Sequence, residues 1–210
     1  PIITRTSEGK AVVALTTNEG KAQSTAVLNF FTQFSNPAKT TYTWNSSLQS
    51  SRMLFGTGKL ALYLGFASEQ EGVSAQNAHL NFDIAEVPQR DGTKKITVGR
   101  LYGIARMKQS KNPPAATIVQ QYFSSRSIST ALSTELGLPP LRRDLLSIVA
   151  SDPNTSVYNK AVIALKTWPD PDPVVSDAIF GTMIQSMLTG QVSAPQAIIR
   201  ATAELEALIK

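Results

Sequence analysis

Residues 55–69 read FGTGKLALYLGFASE. After the glycines at 56 and 58, the run 59–66 (KLALYLGF) is apolar at nearly every position, the pattern of a strand buried on both faces. Such a strand belongs to a sheet covered by helices, so this stretch sets the expected class as α/β. Downstream, 81–87 (NFDIAEV) alternates apolar and polar residues as a half-buried strand does, and Pro88 with the turn Arg90-Asp91-Gly92 closes it. A third strand is expected over 96–105 (ITVGRLYGIA). Gly99 and Gly103 weaken it, which fits a bend, a hinge, a bulge or a close backbone approach.

Helices are expected on both sides of these strands. Upstream, Asn18 is a candidate N-cap for a helix over 19–34, with Ala22, Ala26, Val27, Phe30, Phe31 and Phe34 on one face. Asn36-Pro37 stops it. A loop carrying Tyr42 and Trp44 leads to a short helix over 48–55. Downstream, Pro113-Pro114 suits a helical first turn, with Ala116, Val119, Tyr122 and Phe123 as its apolar stripe. Further helices are expected over 128–136, 142–149 and 157–167. The stretch Trp168-Pro-Asp-Pro-Asp-Pro173 cannot be regular helix, because proline removes donors and clashes with the preceding turn. Two closing helices then run over 174–189 and 193–209, the first ended by Gly190. Ser193 caps the second, whose buried face is Ala197, Ile198, Ala201, Leu205 and Leu208. Three strands among so many helices lack the regular βα alternation of a complete doubly wound sheet.

The 210 residues are 42% hydrophobic and 17% charged, a composition that buries a core and argues against disorder. No apolar run reaches the ~18 residues that span a bilayer. Cysteine is absent, which excludes disulfides, a thiol nucleophile and thiolate metal ligands. The formal charge is +5, yet Lys94-Lys95 and Arg142-Arg143 are isolated pairs and no basic stripe is interleaved with aromatics. Nucleic acid is therefore not an expected partner.

Signs of catalysis are sparse. One histidine, His79, sits in a polar stretch, no nucleophile motif surrounds a serine, and neither GxxxxGK nor GxGxxG occurs. Asp170 and Asp172 could serve as an acid pair or bind a cation, but they are separated by proline and lack the flanking ligands of a calcium loop. Contact with a ligand hydroxyl, or solvation of an exposed turn, suits them better. Tyr42, Trp44, Phe66, Tyr102 and Trp168 fall at the ends of expected elements, where ring ligands such as sugars are gripped. Packing within a core is the competing reading for each of them.

Four segments carry a family likeness. FGTGKLALYLGFASE (55–69) resembles the F-x-x-G-K-x-A-M-x-x-G segment of the family 1 extracellular solute-binding proteins, the maltose-binding-protein-like group. NAHLNFDIAEVPQ (77–89) resembles the strand that follows it. GRLYGIARMKQSKNPPAATIVQQYFSS (99–125) is similar to the family's crossing strand and S-K-N-x-x-A-A helix. DAIFGTMIQSMLTGQVSAPQAIIRATAELEALI (177–209) resembles its closing helix pair. The order matches and nearly the whole chain is covered. Ala78 stands for the usual proline, Leu62 for a common methionine, and Gln196-Ala197 for Glu-Ala.

The resemblance implies a helix-rich α/β chain with a few strands, the C-terminal part of a two-lobed periplasmic-binding-protein-like (type II) fold that closes on its ligand by hinge motion. By the same analogy, 1–98 belongs to the C-terminal lobe, 99–105 is the hinge and crossing strand, 106–151 packs on an N-terminal lobe that precedes this sequence, and 152–210 closes the C-terminal lobe. Helices in 106–151 should then expose apolar surface or pack on another copy. The implied function is delivery of a small molecule, a sugar, to the permease of an ABC importer. It is performed without catalysis or cofactor, in the periplasm or at the cell surface, with or without a lipid anchor. Carry-over gives Gly65, Phe66, Ser68, Tyr102, Trp168, Asp170 and Asp172 as ligand-binding residues, and composition adds Trp44. Two alternatives stand beside it: an α/β hydrolase or lyase using Asp170 and Asp172, and a structural or interaction domain.

Overall fold

A computed structural model describes residues 2–89, 91–146 and 153–209. Arg90, part of the expected turn at 90–92, and 147–149, the end of the helix expected over 142–149, lie outside the described residues. In chain order the elements are β1 (Ile3–Arg5), β2 (Ala11–Val13), α1 (Asn18–Thr32), α2 (Ser51–Gly56), α3 (Gln70–Gln76), β3 (Thr97–Val98), α4 (Pro113–Phe123), α5 (Arg126–Leu136), α6 (Arg143–Leu146), α7 (Pro153–Ile163), β4 (Leu165–Lys166), α8 (Pro173–Leu188) and α9 (Ala194–Leu208). Short 3-10 turns cover Gln33–Ser35 and Ala67–Glu69. The fold is helix-rich, with its few strands confined to two two-stranded sheets among the described residues.

Two compact units divide the chain. One joins Pro1–Leu48 to Trp168–Lys210, and the other is Gln49–Thr167. In the first unit, β1 and β2 pair antiparallel with Ile3 opposite Val13. The hairpin passed unnoticed in the sequence because each strand offers only three residues. Ile3 and Val13 are buried with Ile179 of α8 and with Ala201 and Leu205 of α9. A second cluster sets Leu28 of α1 against Ala194, Ala197 and Ile198 of α9. The buried face of α9 is thus the one its spacing predicts, Leu205 being 0% exposed. Its start is fixed by Gln196, whose Oε1 accepts from the Ser193 backbone N–H at 3.0 Å.

Helix α1 corrects the expectation in two ways. Its cap is Thr17, whose Oγ1 accepts from the Gly20 N–H at 3.2 Å, and not Asn18. Its aromatic stripe faces solvent, with Val27, Phe30 and Phe31 all more than half exposed. Leu28 turns inward instead, because the alanines of α9 leave a hollow that one branched side chain fills.

The second unit departs most from the sequence reading. Of the three expected strands only Thr97–Val98 pairs, in parallel with Leu165–Lys166, a segment expected to end a helix. The runs 59–66 and 81–87 have no ladder partner among the described residues. Leu62 is 85% exposed and Leu64 77%, so the run read as doubly buried has one face uncovered, while Tyr63 on the other face is half-buried. In 81–87 the burial still alternates, with Phe82, Ile84 and Glu86 half-buried. Strand propensity is satisfied only when a neighbour supplies the ladder, and here none does. At Gly99 a Cβ would press on the Leu165 side chain where β3 meets β4.

Helix α4 begins at the two prolines, capped by Asn112 Oδ1 on the Ala115 N–H at 3.3 Å. Ala116 is half-buried, but Ile118, Val119, Tyr122 and Phe123 are exposed. Gly137 ends α5 in the left-handed conformation at φ +59°. No helix among the described residues is long and apolar enough to cross a membrane.

Candidate functional site

The eight residues nominated from sequence divide between the units. Trp44, Trp168, Asp170 and Asp172 belong to the first, and Gly65, Phe66, Ser68 and Tyr102 to the second.

In the first unit, three of the four carry structural roles. Asp172 is the N-cap of α8, its Oδ1 accepting from the backbone N–H groups of Val174 at 3.1 Å and Val175 at 3.2 Å. Asp170 Oδ1 accepts from the Ser176 hydroxyl at 2.7 Å, which satisfies a side chain that is otherwise buried. The two carboxylates therefore grip the entry to α8 rather than each other. Trp168 packs edge-to-face on Phe180, with ring centroids 6.2 Å apart at 82°, beside the core of Ile179 and Leu205. Trp44 stands partly exposed, tied by its backbone N–H to the Phe34 carbonyl at 3.1 Å.

Two open depressions mark this unit. One of about 170 Å³ is lined by Thr16, Lys21, Thr25, Pro195, Ile198 and Ile199. The other follows α8 past Ala178, Gly181, Gln185 and Thr189. No nominated residue lines either.

In the second unit the loop after 59–64 is built more tightly. Tyr63 stacks on Phe55, centroids 5.7 Å apart at 29°, and Phe55 meets the edge of Phe82 at 5.6 Å. Asn77 Nδ2 donates to the Gly56 carbonyl at 3.2 Å. The first two segments that carry the family likeness, 55–69 and 77–89, thus lie against each other. Glu69 supplies the fastening, its Oε1 accepting from the Tyr63 hydroxyl at 2.9 Å and its Oε2 from the Phe66 backbone N–H at 2.7 Å. Gly65 passes between them, because a Cβ there would sit 2.5 Å from Tyr63 Cε1 and 2.8 Å from Glu69 Oε2. Phe66 is 48% exposed beside this anchored turn, and Ser68 is exposed as well. Tyr102 is 90% exposed, within a stretch exposed from 100 to 109.

Tyr63 and Glu69 are the residues that sequence reasoning missed. The signal was present in the spacing Phe66-x-x-Glu69, which lets a glutamate reach back to the N–H that opens a helical turn. Burial pushes the Tyr63 phenol above its ordinary value of 10.0, the Glu69 hydrogen bond and charge push it further, and Arg52 opposes them.

His79 lies exposed after α3, its backbone N–H donating to Asn77 Oδ1 at 3.1 Å. Among the described residues no group of three or more His, Asp or Glu could hold a metal ion. Lys95 is paired with Glu86 at 2.9 Å and Arg142 with Asp144 at 2.9 Å, so each short basic run spends a charge on a neighbour. No protein-family model matches the chain, and no curated protein matches it. The likeness to solute-binding proteins therefore stands on the residues themselves.

Proposed function

We propose that this chain is part of an extracytoplasmic solute-binding protein of the two-lobed type II class, which carries a sugar to the permease of an ABC importer. One observation carries the reading. The segments that the likeness assigns to a shared sheet, to the hinge and to the face of another lobe expose apolar side chains here, among them Leu62, Leu64, Leu101, Tyr102, Ile118 and Tyr122. An unpaired strand sequence and an uncovered helix stripe both ask for neighbours. A preceding lobe of the same protein would supply them. The anchored turn at 65–68 adds an exposed aromatic ring beside a hydroxyl, the combination that grips a sugar through one apolar face and its hydroxyls. The Asp170 and Asp172 carboxylates, engaged with Ser176 and the α8 N-terminus, are not disposed as an acid pair, and the reading assigns them no catalytic role.

The test uses the complete gene product. Its Phe66→Ala and Tyr102→Ala variants should lose affinity for the sugar that the unaltered protein binds, by roughly tenfold or more where a ring stacks on the ligand. Equal affinity in both variants would remove these residues from the site. A second reading, a domain whose apolar helices bind a protein partner or another copy, is favoured by the same exposed α4 face. Sedimentation of the complete protein separates the two. A monomer that binds sugar supports the first reading, and a sugar-indifferent oligomer supports the second.

A further inference from the structure

We propose that Glu69 is the positioning residue of the ligand loop: its carboxylate clamps Tyr63 on one side and the Phe66 backbone on the other, and so fixes the turn that presents the Phe66 ring. The proposal rests on the solute-binding reading for what the loop presents its ring to, but the clamp itself can be tested without a ligand.

The geometry divides the work between the two carboxylate oxygens. Oε2 takes the Phe66 N–H at 2.7 Å, a charge-assisted bond at the short end of the normal range. Alone, that bond would be ordinary helix capping, since Phe66 precedes the 3-10 turn Ala67–Glu69 and α3. Capping has no use for the other oxygen, and Oε1 accepts from the Tyr63 hydroxyl at 2.9 Å. Tyr63 belongs to the segment before the loop, and it is held from behind by its stack on Phe55. The carboxylate therefore ties both ends of the stretch 63–66 to one point. Gly65 completes the device, because any Cβ would strike both the Tyr63 ring and the carboxylate. The Phe66 ring is left half in solvent although an aromatic cluster lies three residues away, so the turn directs it outward. A ring held in place before the ligand arrives loses less freedom on binding.

The experiment compares the complete protein with its Glu69→Gln, Tyr63→Phe and Gly65→Ala variants. Hydrogen exchange at the Phe66 amide reads the clamp directly, and the alkaline absorbance titration of Tyr63, identified by difference against Tyr63→Phe, reads its other arm. In Glu69→Gln we expect Phe66 exchange to quicken roughly tenfold or more, the loss expected when a hydrogen bond to a charged group becomes a neutral one. The Tyr63 phenol should also titrate at lower pH, with the unfolding midpoint kept. Gly65→Ala should quicken Phe66 exchange by steric opening, with Glu69 still present. Should Glu69→Gln fail to fold, Tyr63→Phe, which removes only a hydroxyl, should still quicken Phe66 exchange.

Unchanged Phe66 exchange and an unchanged Tyr63 titration in the glutamine variant would overturn the proposal. Affinity for sugar is measured alongside. If the unaltered protein binds none while the exchange and titration change as stated, the solute-binding reading fails and the Glu69 clamp stands.

Discussion

Asp170 and Asp172 sit in a Pro-Asp-Pro-Asp-Pro run that invites two readings, a reactive acid pair or a helix entry. The contacts decide for the entry. Asp172 stands directly before Pro173, and an aspartate followed by proline at the first helical position is a legible cap signal. Replacing it with alanine should cost about 1 kcal/mol of stability, and replacing it with asparagine only a few tenths, as read by urea denaturation. Asp170→Ala strips the partner from the buried Ser176 hydroxyl and should cost about 1–3 kcal/mol. Tyr63 adds a pH dependence. Its pKa is raised in the folded state, so its contribution is fully present below the ordinary value of 10.0 and is lost as pH rises through the folded value. Stability above pH 10 should therefore fall less steeply in Tyr63→Phe than in the unaltered protein. The Phe66-x-x-Glu69 spacing announces the reach of Glu69 to the Phe66 N–H, but its second contact was not legible in the sequence, because it depends on Tyr63 folding back towards it.

At the scale of elements, legibility followed whether the partner was present. Helix α9 was readable because its buried face is covered within the chain by β2, α1 and α8. Leu205→Ala should cost about 2–5 kcal/mol, since a fully buried leucine leaves a cavity that close-packed neighbours cannot fill. On the same helix the Thr202 hydroxyl is buried with no hydrogen-bond partner among the described residues. Thr202→Val should therefore raise stability by about 1 kcal/mol, measured by thermal denaturation. Helix α1 was misread for an equally physical reason. Phenylalanines at helical spacing usually mark a buried face, but here the neighbouring helix offers alanines that fit Leu28. The strand sequences at 59–66 and 81–87 were read correctly as apolar and alternating, yet a strand exists only as a pair. No pattern within either run reveals that it has no ladder partner among the described residues.

At the scale of the molecule, the first unit is assembled from the two ends of the chain and holds both described apolar clusters. The second is continuous in sequence, and its apolar side chains lie largely on the surface. This contrast predicts that the isolated 210-residue chain binds an apolar dye such as ANS and self-associates. Replacing Ile118 and Tyr122 together by serine should reduce both behaviours while leaving stability within about 0.5 kcal/mol per site, because neither side chain is buried. A chain that binds no dye and stays monomeric would mean that these faces need no cover.

The most direct test of the solute-binding reading is calorimetric titration of a panel of mono- and oligosaccharides into the complete gene product. A sugar-binding protein of this class gives saturable heat at one site per molecule for at least one sugar, and the heat weakens in Phe66→Ala. No heat with any sugar, or saturable binding of peptides or polyamines in its place, would contradict it.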